Sequence, residues 1–236
     1  ADGEMVVVDP LRAFADRYVE DARELGVTLT AAVDTHLHAD HVSGVRALAT
    51  ASGATPVLPA ATVDRGVADA DDFETIADGD RLPVGDASLD AVSLPGHTTG
   101  MTGFRVGSVL LAGDSLFLDG VARPDLQEDA DPEAQARTLY ATLTERLAAF
   151  DDDTRIAPGH VDAGVDSAPH VARLGTLRER LAAFGADEAA FVERVTRVGA
   201  DPANAERIVA INRGQESVDD ETAFELELGP NNCAAG

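Results

Sequence analysis

Thr35-His36-Leu37-His38-Ala39-Asp40-His41 decides the reading of this chain, because it sets four metal-type ligands within six positions. The segment follows Thr30–Asp34, an apolar run that reads as a buried strand. It precedes Val42–Ala51, which reads as a helix. In extended backbone, residues two apart point the same way. His36, His38 and Asp40 are therefore expected to converge on one side as the strand runs out, with His41 turning inward as the helix starts. Imidazole and carboxylate suit zinc, iron, manganese and related ions. Five of the six histidines lie here or in two Pro-Gly-His turns, so an accidental His-rich surface turn is disfavoured.

Those turns are Pro95-Gly96-His97 and Pro158-Gly159-His160, each delivered by an apolar strand. Small residues around His97 would let backbone approach a bound ion closely. Asp114 ends the apolar run Val109–Ala112 in Gly113-Asp114-Ser115. A carboxylate leaving a buried strand is costly unless paired or metal-bound. The alternative role for Asp114 is to cap the following turn. His170 precedes a helix with no partner signal and reads as a surface residue.

Outward from the motif, strands and helices alternate. Met5–Val8 is a strand closed by Asp9-Pro10, and Ala13–Leu25 a helix with Phe14, Tyr18, Val19 and Leu25 along one side, stopped by Gly26. Pro56-Val57-Leu58 and Leu89–Leu94 read as strands, with turns at Asp78-Gly79-Asp80 and Val84-Gly85-Asp86. Phe104–Val106 and Val109–Ala112 form a hairpin around Gly107-Ser108. Pro132–Phe150 reads as one amphipathic helix with Pro at its start, and Ile156-Ala157 as a strand. After His170 the pattern is helical to about Arg213, broken by Pro202. This alternation indicates a layered α/β architecture. It divides the chain into a catalytic domain, 1–168, and a helical C-terminal extension with a tail, 169–236. Because a strand comes almost at once, the expectation is that the sheet's first strands are missing and that the chain is a piece of a longer protein.

Asp and Glu number 43 against 18 basic residues, a formal charge of -25, and every basic residue is Arg. Such a surface repels nucleic acid and anionic membranes. Its self-repulsion needs screening, and at about 1 M salt the Debye length is only about 3 Å. A halophilic source with a high-salt cytosol is the expectation; an ordinary acidic enzyme is the alternative. No apolar run is long enough for a membrane span and no signal peptide opens the chain, so it reads as cytoplasmic. The single Cys233 excludes an intrachain disulfide framework and a Cys-rich zinc site, and an incidental role for it is favoured over a nucleophilic one.

The ordered set His36, His38, Asp40, His41, His97, Asp114 and His160 resembles the metallo-β-lactamase superfamily over about Met5–Gly164. That resemblance implies a four-layer αβ/βα sandwich with the metal site at one sheet edge. Three stretches resemble the persulfide dioxygenase branch of the family: Ala39–Gly44, the segment from Gly113-Asp114-Ser115 through Arg123-Pro124-Asp125-Leu126, and the tail Leu228-Gly229-Pro230-Asn231-Asn232-Cys233. By this resemblance one Fe(II) per chain is held by His36, His97 and Asp114, a facial triad with open positions where a persulfide's terminal sulfur is oxidised by O₂ towards sulfite. His38, Asp40, His41 and His160 would then support those ligands. Arg123 would help hold an anionic thiol carrier; a turn salt bridge is its other reading.

The rival within the family is a glyoxalase II-type hydrolase of thioesters with two Zn(II) ions. One ion would take His36, His38, His97 and Asp114, and the other Asp40, His41, His160 and the shared Asp114, with a bridging hydroxide attacking the thioester. The stretch around Arg123 and the tail favour the dioxygenase. Human-type enzymes carry Tyr two positions after the last motif His, where this chain has Asp162, which points to a low-molecular-weight thiol other than glutathione. The resemblance also brings a rhodanese domain or protein, and a second copy of the chain, as candidate partners. A metal-binding or sulfur-carrier module working beside a rhodanese is the non-enzymatic reading, and the number of convergent ligands weighs against it.

Overall fold

The computed structural model describes residues 3–161, 170–197, 204–228 and 233–235. The chain divides into two units, residues 1–91 with 202–231 and residues 92–201 with 232–236.

In the first unit, β1 (Glu4–Val8) pairs in parallel with β2 (Thr28–Val33), and β3 (Thr55–Pro59) and β4 (Glu74–Ile76) continue the sheet in the order β1-β2-β3-β4. β1 thus has its pairing partner in β2 and lies at one edge. Parallel strands require crossovers, and α1 (Ala15–Leu25) and α2 (Val45–Ser52) supply two of them. A short α3 (Ala60–Val63) follows β3. Tyr18, Val19 and Ala22 of α1 pack with Leu29, Ala32, Val45 and Leu48. The other two residues expected on that side differ: Phe14 precedes the α-helix and is exposed, and Leu25, 71% exposed, falls off the apolar face at the last position before left-handed Gly26. β5 (Arg81–Val84) and β6 (Ala87–Ser93) form an antiparallel hairpin through the expected turn at Gly85. Two later helices, Ala205–Asn212 and Asp220–Glu227, belong to this unit, where Ile208, Ile211, Ala223 and Leu226 close over Val42.

In the second unit, β7 (Thr102–Val106) and β8 (Val109–Gly113) form the expected hairpin, β8 pairs in parallel with β10 (Arg155–Pro158), and β10 pairs with β11 (Ala172–Arg173). A separate two-residue strand, β9 (Val121–Ala122), pairs antiparallel with β12 (Ala234–Ala235). The core joins Leu94, Met101, Leu110 and Ile156 to Leu139, Leu143 and Leu147 and to Leu174, Leu177 and Phe191. The run 132–150 is not one helix. α4 spans Pro132–Ala141, with Asp131 as its N-cap, and is followed by a π-turn, Thr142–Arg146, and a 3₁₀ turn, Leu147–Ala149. Three threonine hydroxyls explain the break. Thr138 and Thr144 bond back to the carbonyls of Ala134 and Tyr140, and Thr142 reaches out to the Pro95 carbonyl at 2.7 Å. Such back-bonding loosens and bends a helix. Helices α5 (Leu174–Arg180), α6 (Ala182–Gly185) and α7 (Glu188–Val195) follow. The Pro202 break, Asp162 and the tail residues Gly229–Asn232 lie outside the described residues. No helix among the described residues is long and apolar enough to cross a membrane.

Candidate metal centre

β2 ends at Val33, so the His-rich segment is a loop rather than strand, and α2 starts only at Val45. The alternation expected of His36, His38 and Asp40 therefore does not operate, and their placement rests on long-range bonds. Asn212 is the main anchor: its side-chain amide donates to the carbonyls of His38 (3.0 Å) and His41 (2.9 Å), and its oxygen accepts from the Ser43 N–H at 2.8 Å. Leu37 and Ala39 pack on Val209.

Asp9, at the end of β1, organises the imidazoles. Its Oδ1 accepts the Thr35 N–H at 2.6 Å and faces His38 Nε2 at 3.0 Å, while its Oδ2 accepts the Thr35 hydroxyl at 2.9 Å. An ionised carboxylate only accepts, so the single Thr35 hydroxyl proton points to Asp9. The Thr35 oxygen then accepts from Nδ1–H of His36, 2.9 Å away. In a neutral His36 this fixes Nε2 as the lone-pair nitrogen, the form a metal requires. His38 donates Nε2–H to Asp9, and its Nδ1 stands 3.5 Å from Asp40 Oδ1.

His38, Asp40 and His41 each offer a ligand atom within 4.8 Å of the others. Asp40 Oδ1 is 3.3 Å from His41 Nδ1, and His41 Nε2 is buried with no hydrogen-bond partner among the described residues. The electrostatics are correspondingly strained. Burial alone would lower the His38 pKa, but Asp9, Asp40 and Asp34 outweigh it and hold it well above its ordinary value. Burial would raise Asp40, but His41 and His38 hold its carboxyl well below the usual range. Asp34, buried and close to Asp9, is pushed up to about 6, opposed by His38 and by the Ser43 hydroxyl at 2.6 Å. Buried Asp34 and the half-buried Asp9 and Asp40 around these imidazoles form a charge distribution suited to a cation.

The second unit carries the other sequence-predicted residues. His97 Nδ1 lies 2.9 Å from the Arg123 carbonyl, which can only accept. In neutral His97 the lone pair is thus on Nε2, which faces Asp114 Oδ2 at 3.8 Å. Two acceptors facing each other across that gap in a buried setting fit a shared cation. His160 Nε2 stands 3.4 Å from the same Oδ2, and its ring is held against Phe117 with centroids 4.7 Å apart. Two glycines make room for this arrangement. A Cβ on Gly159 would lie 2.5 Å from Asp114 Oδ1, and one on Gly96, at φ +132°, would lie 2.5 Å from the Leu139 backbone. At Gly96 that space admits the close approach of α4.

Arg123, expected to hold an anionic carrier, is buried, with its guanidinium forked onto Asp125 at 3.0 and 2.7 Å. Its visible role is carried by its carbonyl on His97. The sequence reading missed Asp9, Thr35, Asn212 and Cys233. Asp9 closes a half-buried strand, β1, and its role shows only through its bonds to Thr35 and His38. Cys233 is fully buried, and its sulfur lies within 4.8 Å of ligand atoms of Asp114 and His160. His170 is half-buried.

The metallo-β-lactamase superfamily model matches residues 1–160, and this chain belongs to that superfamily and has its α/β fold. It is an enzyme of that fold. Among curated relatives it is 33% identical over 160 residues to "Persulfide dioxygenase ETHE1, mitochondrial" of Homo sapiens, covering 66% of this chain and 59% of that one. It is also 33% identical over 168 residues to a hydroxyacylglutathione hydrolase of Polaromonas sp., covering 67% and 57%. The chain thus spans less than two thirds of the length of these curated relatives. The crystal structure of ETHE1 from Myxococcus xanthus superposes with a TM-score of 0.79 at 28% identity, covering 91% of this chain and 90% of that one.

Proposed function

We propose that this chain is a persulfide dioxygenase holding one Fe(II) through His36, His97 and Asp114. The observation that carries the reading is the likeness to the Myxococcus ETHE1 structure, which extends over nine-tenths of both chains and so well beyond the region matched by the superfamily model. The tautomers agree with it. Thr35 and the Arg123 carbonyl each hold an Nδ1–H, so that His36 and His97 offer Nε2. When bound, the ion supplies the redox chemistry by which O₂ oxidises a persulfide's terminal sulfur. Asp9, through Thr35, fixes the orientation of His36, and Gly159 leaves room for the Asp114 carboxylate. Drawing Arg123 onto an anionic carrier would disturb its pair with Asp125, so in this reading Arg123 positions His97. The substrate is a low-molecular-weight thiol persulfide, delivered by a rhodanese domain or protein in a salt-rich cytosol. In this reading residues 1–168 are the catalytic domain, and 169–236 extend it and supply Asn212 to the His-rich loop.

The second reading, a two-zinc thioester hydrolase, is favoured by the tight grouping of His38, Asp40 and His41 and by the hydroxyacylglutathione hydrolase relative. Metal analysis joined to an oxygen electrode separates the two. One iron per chain with persulfide-driven O₂ uptake is expected; two zinc ions with thioester hydrolysis and no O₂ uptake would overturn it. The salt-adaptation component has its own test. Raising salt from about 0.1 to 2 M should lift the unfolding midpoint by roughly 5 °C, at about 2–4 °C per kcal/mol for this size. A midpoint that falls with salt would refute it.

A further inference from the structure

Gln127 is buried, and three donors converge on its side-chain oxygen. The Thr99 N–H lies 2.9 Å from Oε1, the Thr99 hydroxyl 3.2 Å and the Gln135 amide nitrogen 3.3 Å. A backbone N–H only donates, so the atom facing it is the amide oxygen. The other end agrees. Nε2 stands 3.1 Å from Asp129 Oδ1, and an ionised carboxylate only accepts. The amide thus has one orientation, set by its partners at both ends.

Thr99 follows His97 by two residues, and Gln127 follows Arg123 by four. The same two segments are therefore joined at two rungs. One is His97 Nδ1–H on the Arg123 carbonyl at 2.9 Å, and the other is Thr99 on Gln127. A single hydrogen bond tolerates a swing of the ring about it, and a second rung on the same segments removes that freedom. The helical run from Pro132 underlies the turn through one side, since Gln135, Leu139 and Thr142 are spaced by four and three positions. Gln135 bonds Gln127, Leu139 backs onto Gly96, and Thr142 donates to the Pro95 carbonyl.

We propose that Gln127 is a positioning residue for His97. Its amide sets the register between the Pro-Gly-His turn and the Arg123 segment. It so keeps the Arg123 carbonyl on Nδ1–H and leaves Nε2 free for a metal. The inference rests on His97 being a metal ligand, which the iron and the two-zinc readings share, so it does not depend on which chemistry holds. Three substitutions divide the role. Gln127→Leu keeps the bulk and removes both ends. Gln127→Asn keeps the amide and withdraws it by one methylene. Gln127→Glu keeps an oxygen for Thr99 and sets a second carboxylate against Asp129.

The test is solvent exchange of imidazole Nδ1–H protons, followed by NMR in the full-length chain loaded with diamagnetic Zn(II). The His97 proton is assigned by its loss in His97→Gln, and the His36 proton, held by Thr35, is the internal reference. Gln127→Leu is expected to speed exchange at His97 relative to His36 by roughly tenfold, and to weaken Zn(II) affinity by roughly tenfold in competition with a chromogenic chelator. Gln127→Asn should act in the same direction, so one of the two misfolding leaves the other to read. Gln127→Glu should fall between the parent and Gln127→Leu. Circular dichroism establishes that each variant is folded. Unchanged exchange at His97 in the folded variants would overturn the proposal. Equal acceleration at His97 and His36 would also overturn it, making Gln127 a general stabiliser. A parent chain without a protected His97 proton would remove the premise and the proposal with it. Iron content and persulfide-driven O₂ uptake of the parent chain report separately on the dioxygenase reading, and the exchange result stands whichever way they fall.

Discussion

The His-rich loop of the first unit and the Pro-Gly-His turns of the second present the same nitrogen by different means. In the loop, a carboxylate at a strand end works through a hydroxyl: Asp9 holds Thr35, and Thr35 holds His36. In the turns, a neutral backbone carbonyl, that of Arg123, does the same for His97. The first arrangement places buried charges beside each other and displaces the pKa values of Asp34, His38 and Asp40. The second relies on space, with Gly159 clearing the Asp114 oxygen. One region is tuned by charge and the other by shape, so they should fail differently under substitution.

The largest effect is expected where shape is broken. Gly159→Ala puts a methyl 2.5 Å from Asp114 Oδ1. Displacing a ligand by about 1 Å should cost roughly 10²-fold in turnover and much of the bound metal. Near-parental metal content and rate in a folded protein would show that the space is not needed. The next effect is in the charge-tuned loop. Asp9→Asn keeps the volume but can no longer act purely as an acceptor, and metal affinity should fall about 10–100-fold. Isothermal titration with the metal reads this directly; an unchanged affinity would mean that Thr35 and His38 are ordered by other contacts. The smallest is Thr35→Val, which removes the relay but leaves the Asp9–His38 contact. A loss of a few-fold in affinity is expected, in keeping with one hydrogen bond of about 1 kcal/mol. A Thr35→Val loss equal to that of Asp9→Asn would assign the whole effect of Asp9 to His36. His38→Gln sharpens the comparison further. Loss of metal would make His38 a ligand, whereas retained metal with slower turnover would make it a supporting group.

The residue types of the metal centre were legible because they are concentrated: a seven-residue loop and two repeated tripeptides hold five of six histidines. Strands β1, β2, β3, β7, β8 and β10 were legible because each is a short β-rich run next to a turn signal. What was not legible depends on partners distant in the chain. Asn212 fastens the His loop from a helix that begins at Ala205, and nothing in its neighbours marks it out. β9 and β12 are two residues each, too short for any periodicity. The single helix expected over 132–150 failed because apolar spacing does not register threonine hydroxyls competing for helix carbonyls. The burial of Cys233 is not legible either, because a lone cysteine has no spacing to read.

The pairing of β9 with β12 bears on how the protein is made. The Arg123 segment that orients His97 is bonded to Cys233, on the order of a hundred residues later in the chain. Ribosomes release residues in order, so His97 and Asp114 emerge long before the strand that braces them. During that interval both are exposed to whatever ions the cell holds, without their final geometry. An ion bound before the Cys233 segment is made is therefore held without the brace on the Arg123 segment, which arrives only when β12 docks on β9.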